Sequence, residues 1–136
     1  MRPGVHLRRS TERTDQVEAL AAALSADGGG RVGLDGVLAD LNRTATVVRV
    51  PALAARWGFR WDDEDTGSRR WWPQGITTSA DHDASEVYDG RRVVVTSSYS
   101  KDLAGVHKGS RVTVVDLDDG KRLRYRHVLL VEAFTR

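Results

Sequence analysis

The side chains whose types could best support binding chemistry lie at positions 57–75. This stretch contains all four tryptophans of the chain. Tryptophan and arginine side chains can stack on sugar rings and on nucleobases. This stretch therefore allows a ligand-binding platform, with carbohydrate as a candidate ligand. The platform residues would be Trp57, Trp61, Trp71, Trp72 and Gln74. The alternative, which we favour, is that the tryptophans close one end of a β-fold that has little aliphatic core.

Residues 62–65 form a run of four consecutive acidic side chains within the same stretch. Hard cations such as Ca²⁺ bind several carboxylate and carbonyl oxygens, so a calcium site is one interpretation of this run. Its ligands would be Asp62, Asp63, Asp65, Asp81 and Asp83. The run lacks the Asp-x-Asp/Asn-x-Asp/Asn-Gly spacing of a calcium-binding loop, and charge runs are usually solvated surfaces. We therefore expect no cofactor, with calcium as the alternative.

Nucleic acid is not an expected partner. The chain has 21 Lys and Arg residues against 19 Asp and Glu residues, a formal net charge of +2 that creates no strong positive field. The acidic run at 62–65 would repel phosphates. Arg122, Arg124 and Arg126 could contact phosphates, but their alternation predicts more simply the solvated face of a strand.

The sequence supports no catalytic assignment. It contains no cysteine, which excludes disulfides, thiolate catalysis and Cys-ligated zinc. The segment 98–101 matches Ser-x-x-Lys, but it follows a β run, so no helical turn holds the lysine near the serine. His127 alternates with Tyr125 and Leu129 on one strand face. We expect it to be a hydrogen-bonded core or rim residue rather than a base.

Short helices are predicted near the N-terminus. Asp15 and Glu18 have the spacing of a capping box, and the Ala and Leu residues that follow favour a helix over 15–26. The glycines at 28–30 supply a left-handed C-cap and a flexible link. Apolar residues at helical spacing over 34–41 predict a further short helical turn.

After this helical segment with its Gly-rich link, 1–44, the pattern predicts an antiparallel β module with a Trp-rich loop, 45–136. A β-branched run at 46–50 ends at Pro51. Further strands are predicted at 75–79, 91–98, 111–117 and 124–131, with turn residues at Asp89-Gly90 and Asp118-Asp119-Gly120. The expected fold is mainly β: a four-stranded antiparallel meander, equivalent to one propeller-type blade, preceded by a short helical N-terminal segment.

Several of these strands are apolar on both faces, as in the runs 93–95 and 128–131. Both faces of the sheet then need covering, and open edges invite pairing with another chain. A protein segment that completes the sheet is therefore a candidate partner. No apolar run approaches the ~20 residues that span a bilayer, so a membrane partner is not expected.

The most distinctive segments of the β module are Trp72-Pro-Gln-Gly-Ile-Thr77 and Tyr125-Arg-His-Val-Leu-Leu-Val131. Together with the segments 49–53, 56–59, 78–81 and 110–116, they resemble the opening part of a poorly characterised family of secreted actinobacterial proteins that look like β-propellers. The resemblance covers residues 45–133. It implies an extracellular location and further blades beyond Val131, although no export signal is visible in this sequence. It implies no catalytic residue.

Two functions from different classes follow from these patterns. The first is a non-catalytic, β-propeller-like module that binds a ligand or a partner through the Trp-rich loop. The alternative is a part of a metal-assisted propeller hydrolase acting on an ester, a lactone or a phosphoester, whose site needs further blades. This chain would then contribute Gln74, Asp81, His82 or Asp83 to the site.

Overall fold

The computed structural model describes residues 9, 11–51, 57–100, 110–117 and 122–130. They form one curled, six-stranded antiparallel sheet in the order β2-β1-β6-β5-β4-β3, with short helices around it. The strands are β1 (Arg43–Val48), β2 (Gly58–Arg60), β3 (Trp71–Thr78), β4 (Val93–Ser100), β5 (Ser110–Asp116) and β6 (Arg122–Leu130). The helices are α1 (Glu12–Ala26), α2 (Leu34–Ala39), α3 (Asp63–Gly67) and α4 (Ser79–His82).

The predicted antiparallel meander is present as β3-β4-β5-β6, in which each strand pairs with the next. The prediction of four strands is nevertheless too low, because the described sheet has six. Strand β1 pairs with β6, and β2 pairs with β1. The β-branched run at 46–50 indicated β1, whereas β2 is only three residues long and too short to show an alternating pattern. Because β1 begins at Arg43, the predicted boundary after residue 44 falls inside a strand.

Helix α1 ends at Ala26 as predicted, and Gly28 adopts the left-handed conformation with a φ of 84°. The prediction of its start was wrong. The helix begins at Glu12 after Thr11, so Asp15 lies inside it and does not act as the cap. Helix α2 agrees with the turn predicted over 34–41.

The two faces of the sheet bury different clusters. The helix face carries Val93, Val95, Val112, Val114 and Val128 and packs against Val37 and Leu38 of α2. The site face carries Ala45, Val94, Val115, Leu123 and Tyr125, and Phe59 and Trp61 pack against it. Both faces are therefore covered in part, as the apolar strands require.

Arginines on the helix face of β6 hold the end of α2. Arg124 donates a hydrogen bond to the backbone oxygen of Leu41, and Arg126 forms an ion pair with Asp40. The predicted solvated face therefore holds for Arg122, which is exposed, but it is wrong for Arg124 and Arg126. Their side chains connect the helical segment to the sheet.

The predicted turn at Asp89-Gly90 is confirmed. Tyr88 and Arg91 exchange two backbone hydrogen bonds of 2.8 and 2.9 Å, while Asp89 and Gly90 have φ values of 47° and 73°. Two positive φ values are characteristic of the type I′ turn that joins antiparallel strands. The predicted turn at 118–120 and Lys101 lie outside the described residues. Within the described part of the chain, no helix has the length and apolar character needed to cross a membrane.

Candidate functional site

A polar patch interrupts the apolar site face at the centre of the meander. Thr96 of β4 faces Thr113 of β5, and Thr113 faces His127 of β6. One pair further along, Ser98 faces Arg111. Direct cross-strand partners project from the same face of a sheet, so these five side chains lie together.

Helix α3 places a carboxylate against this patch. Asp62 caps the helix by accepting a hydrogen bond of 2.9 Å from the backbone N–H of Asp65. Asp65 then projects toward the sheet, where its side chain is only 7% exposed. The sequence folds in this way because aspartate is a favoured N-cap residue.

Asp65 is contacted from three strands, through hydrogen bonds from β5 and β6 and an ion pair with Arg43 of β1. Tyr125 donates its hydroxyl at 2.7 Å, His127 Nε2 lies at 2.6 Å, and an Arg111 nitrogen lies at 3.2 Å. Arg43 Nε is 3.1 Å away. Burial opposes ionisation of Asp65, but the hydrogen bonds from His127 and Tyr125 outweigh it, so the pKa of Asp65 is lowered.

Arg43 and Asp62 form a second ion pair beside the contacts of Asp65. Arg43 donates two hydrogen bonds of 2.8 Å, one to each oxygen of Asp62. This bidentate contact lowers the pKa of the Asp62 carboxyl to about 2 and raises the pKa of Arg43. Arg43 also donates to the Tyr125 hydroxyl at 3.3 Å, which joins the two ion pairs into one network.

His127 uses both ring nitrogens within this network. Its Nε2 contacts Asp65, and its Nδ1 lies 2.7 Å from Thr113 Oγ1. Burial lowers the pKa of His127, and the cation of Arg111 acts in the same direction, although Asp65 opposes both. The neutral ring therefore donates from Nε2 to the acceptor-only carboxylate and accepts the Thr113 hydroxyl proton at Nδ1.

Thr113, His127 and Asp65 have the connectivity of a hydroxyl-imidazole-carboxylate triad. The hydroxyl, however, belongs to a residue that is only 1% exposed and lies in the interior of the sheet. A substrate cannot reach such an oxygen. The arrangement therefore acts as a structural network, in agreement with the prediction that His127 is a hydrogen-bonded core or rim residue.

Two tryptophans flank the network. The Trp61 ring lies 4.9 Å from Tyr125 and 6.2 Å from His127, and so it shields them from solvent. The Trp71 ring has the guanidinium carbon of Arg111 at 4.6 Å and that of Arg70 at 5.2 Å, both in cation–π geometry.

Between these tryptophans the site face opens into a cleft of about 320 Å³. Its apolar lining consists of Trp61, Trp71, Pro73 and Ile76. Polar groups come from the neighbouring strands β4 and β5, chiefly Thr96 and Arg111. The cleft therefore combines aromatic and aliphatic walls with a small number of polar groups, as small-molecule sites do.

Two polar atoms of the cleft residues are shielded from solvent without a hydrogen-bond partner among the described residues. They are Thr96 Oγ1 and Arg111 Nε. The Arg111 side chain is only 8% exposed, and its described ionic partner is the shared carboxylate of Asp65. Desolvation lowers the pKa of Arg111, while Asp65 counteracts it. Unsatisfied buried donors are rare in native proteins and call for an explanation.

The structure brings together three of the five predicted platform residues. Trp61, Trp71 and Gln74 line the cleft. Trp72 projects from the opposite face of β3, where its ring lies 6.4 Å from Tyr99. Trp57 is exposed just before β2. Of the cleft tryptophans, Trp61 also covers the core, as the structural interpretation of this stretch predicted.

The five predicted calcium ligands lie in separate places. Asp62 and Asp65 are held by the network above, whereas Asp63 is 98% exposed and lies 3.8 Å from Arg60. Asp81 accepts hydrogen bonds from Thr77 and Thr78 at the start of α4. Asp83 accepts the backbone N–H of Ser85 at 2.7 Å. Within the described ranges, no group of three His, Asp or Glu residues is arranged to hold a metal ion.

A second cleft, of about 440 Å³, lies on the helix face. Leu34, Tyr88 and Val95 contribute to its lining, together with Asp81 and His82. Asp81 and His82, which were suggested for the hydrolase alternative, thus lie on the face of the sheet opposite Asp65 and Gln74.

Sequence reasoning missed the centre of the site, which is formed by Arg43, Thr96, Arg111, Thr113 and Tyr125. One signal was present. Arg111 and Thr113 alternate with Val112 and Val114, so one face of an otherwise apolar strand is polar. Such a pattern in a central strand indicates a buried polar site, because buried polar groups need partners.

The fold and the site define a small protein with a curled antiparallel sheet, whose site face carries a buried ion-pair network beside an aromatic cleft. Comparisons with protein-family models, with curated proteins and with solved structures gave no match for this chain. The arrangement of its own residues is therefore the basis for a functional proposal.

Proposed function

We propose that this protein is a non-catalytic module that binds a small organic ligand in the cleft of the site face. The proposal rests on Arg111 Nε and Thr96 Oγ1, which are buried in cleft-lining residues and have no partner among the described residues. An unsatisfied buried polar atom costs about 1–3 kcal/mol of stability. Local departures from favourable packing of this kind are expected at functional sites.

The chemistry of the network supports binding rather than catalysis. Both nitrogens of His127 are engaged, so neither is available to a substrate proton. The hydroxyl nearest to the imidazole belongs to the buried Thr113. What the network does is hold Arg111 in place through Asp65, which orients a cation beside the cleft.

The resemblance to secreted actinobacterial β-propeller-like proteins belongs to this proposal as well. It is supported by the meander β3-β4-β5-β6, since a propeller blade is a four-stranded antiparallel sheet. In that proposal the protein acts outside the cell, and β1 and β2 extend the blade at its β6 edge. The hydrolase alternative gains no specific support, because Asp81 and Asp83 serve as local hydrogen-bond acceptors.

The tryptophans allow a direct test. The indole N–H signals of Trp61 and Trp71 report on the cleft, while Trp57 and Trp72 lie outside it and serve as internal controls. Signals would be assigned with single Trp→Phe variants. The probes would be neutral monosaccharides, small carboxylates and the matching amides, each titrated up to about 10 mM. A ligand with a Kd of about 10 mM has a binding free energy of only about 2.7 kcal/mol, so weak binding is also detected.

We expect at least one class of probe to shift the Trp61 and Trp71 signals saturably and to leave those of Trp57 and Trp72 in place. The proposal is contradicted if no probe moves the two cleft signals. It is also contradicted if all four tryptophan signals move together, because that result indicates binding without a site.

A further inference from the structure

The outer edge of β3 carries backbone groups that no described strand uses. β3 is the last strand in the order of the sheet, and within the described ranges it pairs only with β4. Residues 72–77 of this strand are all exposed. An edge of this kind presents N–H and C=O groups that a further strand can satisfy. The edge is therefore an interaction surface for a partner strand.

The hydrogen bonds at the end of β3 show which backbone groups point outward. Backbone groups alternate sides along an antiparallel strand. Thr78 donates its N–H to the Asp81 carboxylate at 2.7 Å and not to β4. On β4, Val93 directs its N–H to a side chain just after β3, so Thr96, three residues later, directs its own groups toward β5. Thr96 is the partner of Ile76, and Ile76 therefore directs both its N–H and its C=O to the open edge.

We propose that this edge pairs with the same edge of a second copy of the chain, antiparallel and with Ile76 on the two-fold axis. Residues that face each other in this way exchange two hydrogen bonds, so each Ile76 satisfies the backbone groups of the other. The Ile76 side chain is 70% exposed and lies on the site face. Its copy projects directly opposite from the same face, so the pairing buries both side chains. This contact does not depend on ligand binding.

The charges at the two ends of β3 are complementary in this arrangement. Arg69 precedes the strand, and Asp81 and Asp83 follow it, all three in exposed positions. When Ile76 faces its own copy, Arg69 of one copy lies at the same end of the paired strands as the two aspartates of the other. Opposite charges that meet in this way fix the register of a contact. The chain itself carries this charge pattern, which favours a second copy over a foreign strand.

Other features of the chain limit the pairing to one closed dimer. Pro73 has no N–H, and the register shifts between Pro73 and Gly75, so the first half of β3 cannot continue a regular ladder. Helix α4 begins at Ser79 and ends the strand on the other side. The opposite edge of the described sheet is β2, which has only three residues. Because the paired surfaces are identical, the two-fold contact uses both β3 edges and leaves neither for a third chain.

Sedimentation velocity measures the association directly. The contact involves one short strand from each copy, which places it among small, reversible interfaces. We expect a monomer at about 10 µM and a rising fraction of dimer, with twice the 15.0 kDa mass of the chain, up to about 1 mM. Ile76→Lys sets two like charges opposite each other on an edge strand and should weaken the association at least about tenfold. Val47→Lys, at an exposed apolar position of β1 inside the sheet, is the control and should change it less than about twofold.

An introduced cysteine tests the register. The chain contains no cysteine, so a single introduced thiol can form a disulfide only with its own copy. The Cα atoms of a hydrogen-bonded antiparallel pair are about 5.5 Å apart, a spacing that a disulfide spans. Ile76→Cys should therefore give a covalent dimer under mild oxidation. Thr77→Cys is the control at the next exposed position, because Thr77 would face Gly75 of the other copy and not its own counterpart.

The results separate pairing at β3 from other modes of association. A chain that stays monomeric at about 1 mM, with Ile76→Cys no more crosslinked than Thr77→Cys, overturns the inference, and a strand of another protein is then the partner to search for. A dimer that Ile76→Lys leaves unchanged also overturns it, because another surface then forms the contact. Circular dichroism of each variant, at a concentration where the wild type is monomeric, checks that the fold is retained.

Discussion

Thr96 and Thr113 face each other across β4 and β5, yet their hydroxyl groups are in opposite situations. Thr113 Oγ1 lies 2.7 Å from His127 Nδ1, whereas Thr96 Oγ1 is shielded from solvent and has no partner among the described residues. The sheet needs the first hydroxyl for its own hydrogen-bond network. The second hydroxyl forms no hydrogen bond within the described fold, and this is one of the two observations on which the proposed binding function rests.

Substitution of each threonine by valine should therefore have opposite effects on stability. Thr96→Val removes an unsatisfied buried hydroxyl and should raise the free energy of unfolding by about 1 kcal/mol. Thr113→Val leaves His127 Nδ1 without its donor and should lower this free energy by about 1–2 kcal/mol. Urea denaturation of the three proteins measures both changes. Shifts of the same sign would contradict this account of the two hydroxyls.

The parts of the fold that were predictable have a strong local signal. The meander strands alternate or carry runs of β-branched residues, and Asp89-Gly90 is a recognised turn pair. Strand β2 was missed because three residues show no periodicity. The capping-box spacing of Asp15 and Glu18 was misleading, since the helix continues to Glu12.

The candidate site was predictable only where residue type alone gave a signal. Trp61, Trp71 and Gln74 were named because they lie in one unusual stretch, and they do line the cleft. The network around Asp65 was not predictable, because its partner His127 is 62 residues away in the sequence. Their contact depends on the register of β5 and β6 and on the orientation of α3, which no local pattern reveals.

The acidic run offers a matched test of the ion-pair network. Asp65→Asn leaves Arg43 and Arg111 without a shared counter-charge and should lower the free energy of unfolding by about 3 kcal/mol. Asp63→Asn changes a side chain that is 98% exposed and should shift stability by less than about 0.5 kcal/mol. Thermal and urea denaturation distinguish the two. Similar losses in both variants would show that the acidic run affects stability through its total negative charge and not through the specific contacts of Asp65.

Tyr125 joins the two ion pairs through one hydroxyl group. It donates to Asp65 at 2.7 Å and accepts from the backbone N–H of Asp62 at 3.2 Å. Tyr125→Phe keeps the ring against Trp61 and should lower the free energy of unfolding by about 1–3 kcal/mol. Tyr88→Phe is the control, because that hydroxyl donates to Asp35 in an exposed position, and its loss should cost less than about 0.5 kcal/mol. Equal costs would contradict a central role for Tyr125.

The neutral state of His127 predicts how stability depends on pH. Burial lowers the pKa of His127 in the folded protein below its usual value of 6.5, and Arg111 of β5 and Arg43 of β1 act in the same direction, against Asp65 of α3. As the pH falls below 6.5, the unfolded chain therefore takes up a proton before the folded protein does. The contribution of this histidine is complete above that pH and is lost as the pH falls through the folded pKa.

The carboxylates affect stability over a separate pH range that lies below that of His127. The pKa of Asp62 is lowered from 3.8 to about 2, so its contribution is lost only between those values. Urea denaturation between about pH 7.5 and pH 5 should thus show a decline in stability that belongs to His127. His127→Gln keeps a polar group at this position and should flatten the decline relative to the wild type. A wild-type protein that becomes more stable on acidification over this range would contradict the lowered pKa of His127, because it would show that the folded protein binds a proton more readily than the unfolded chain does.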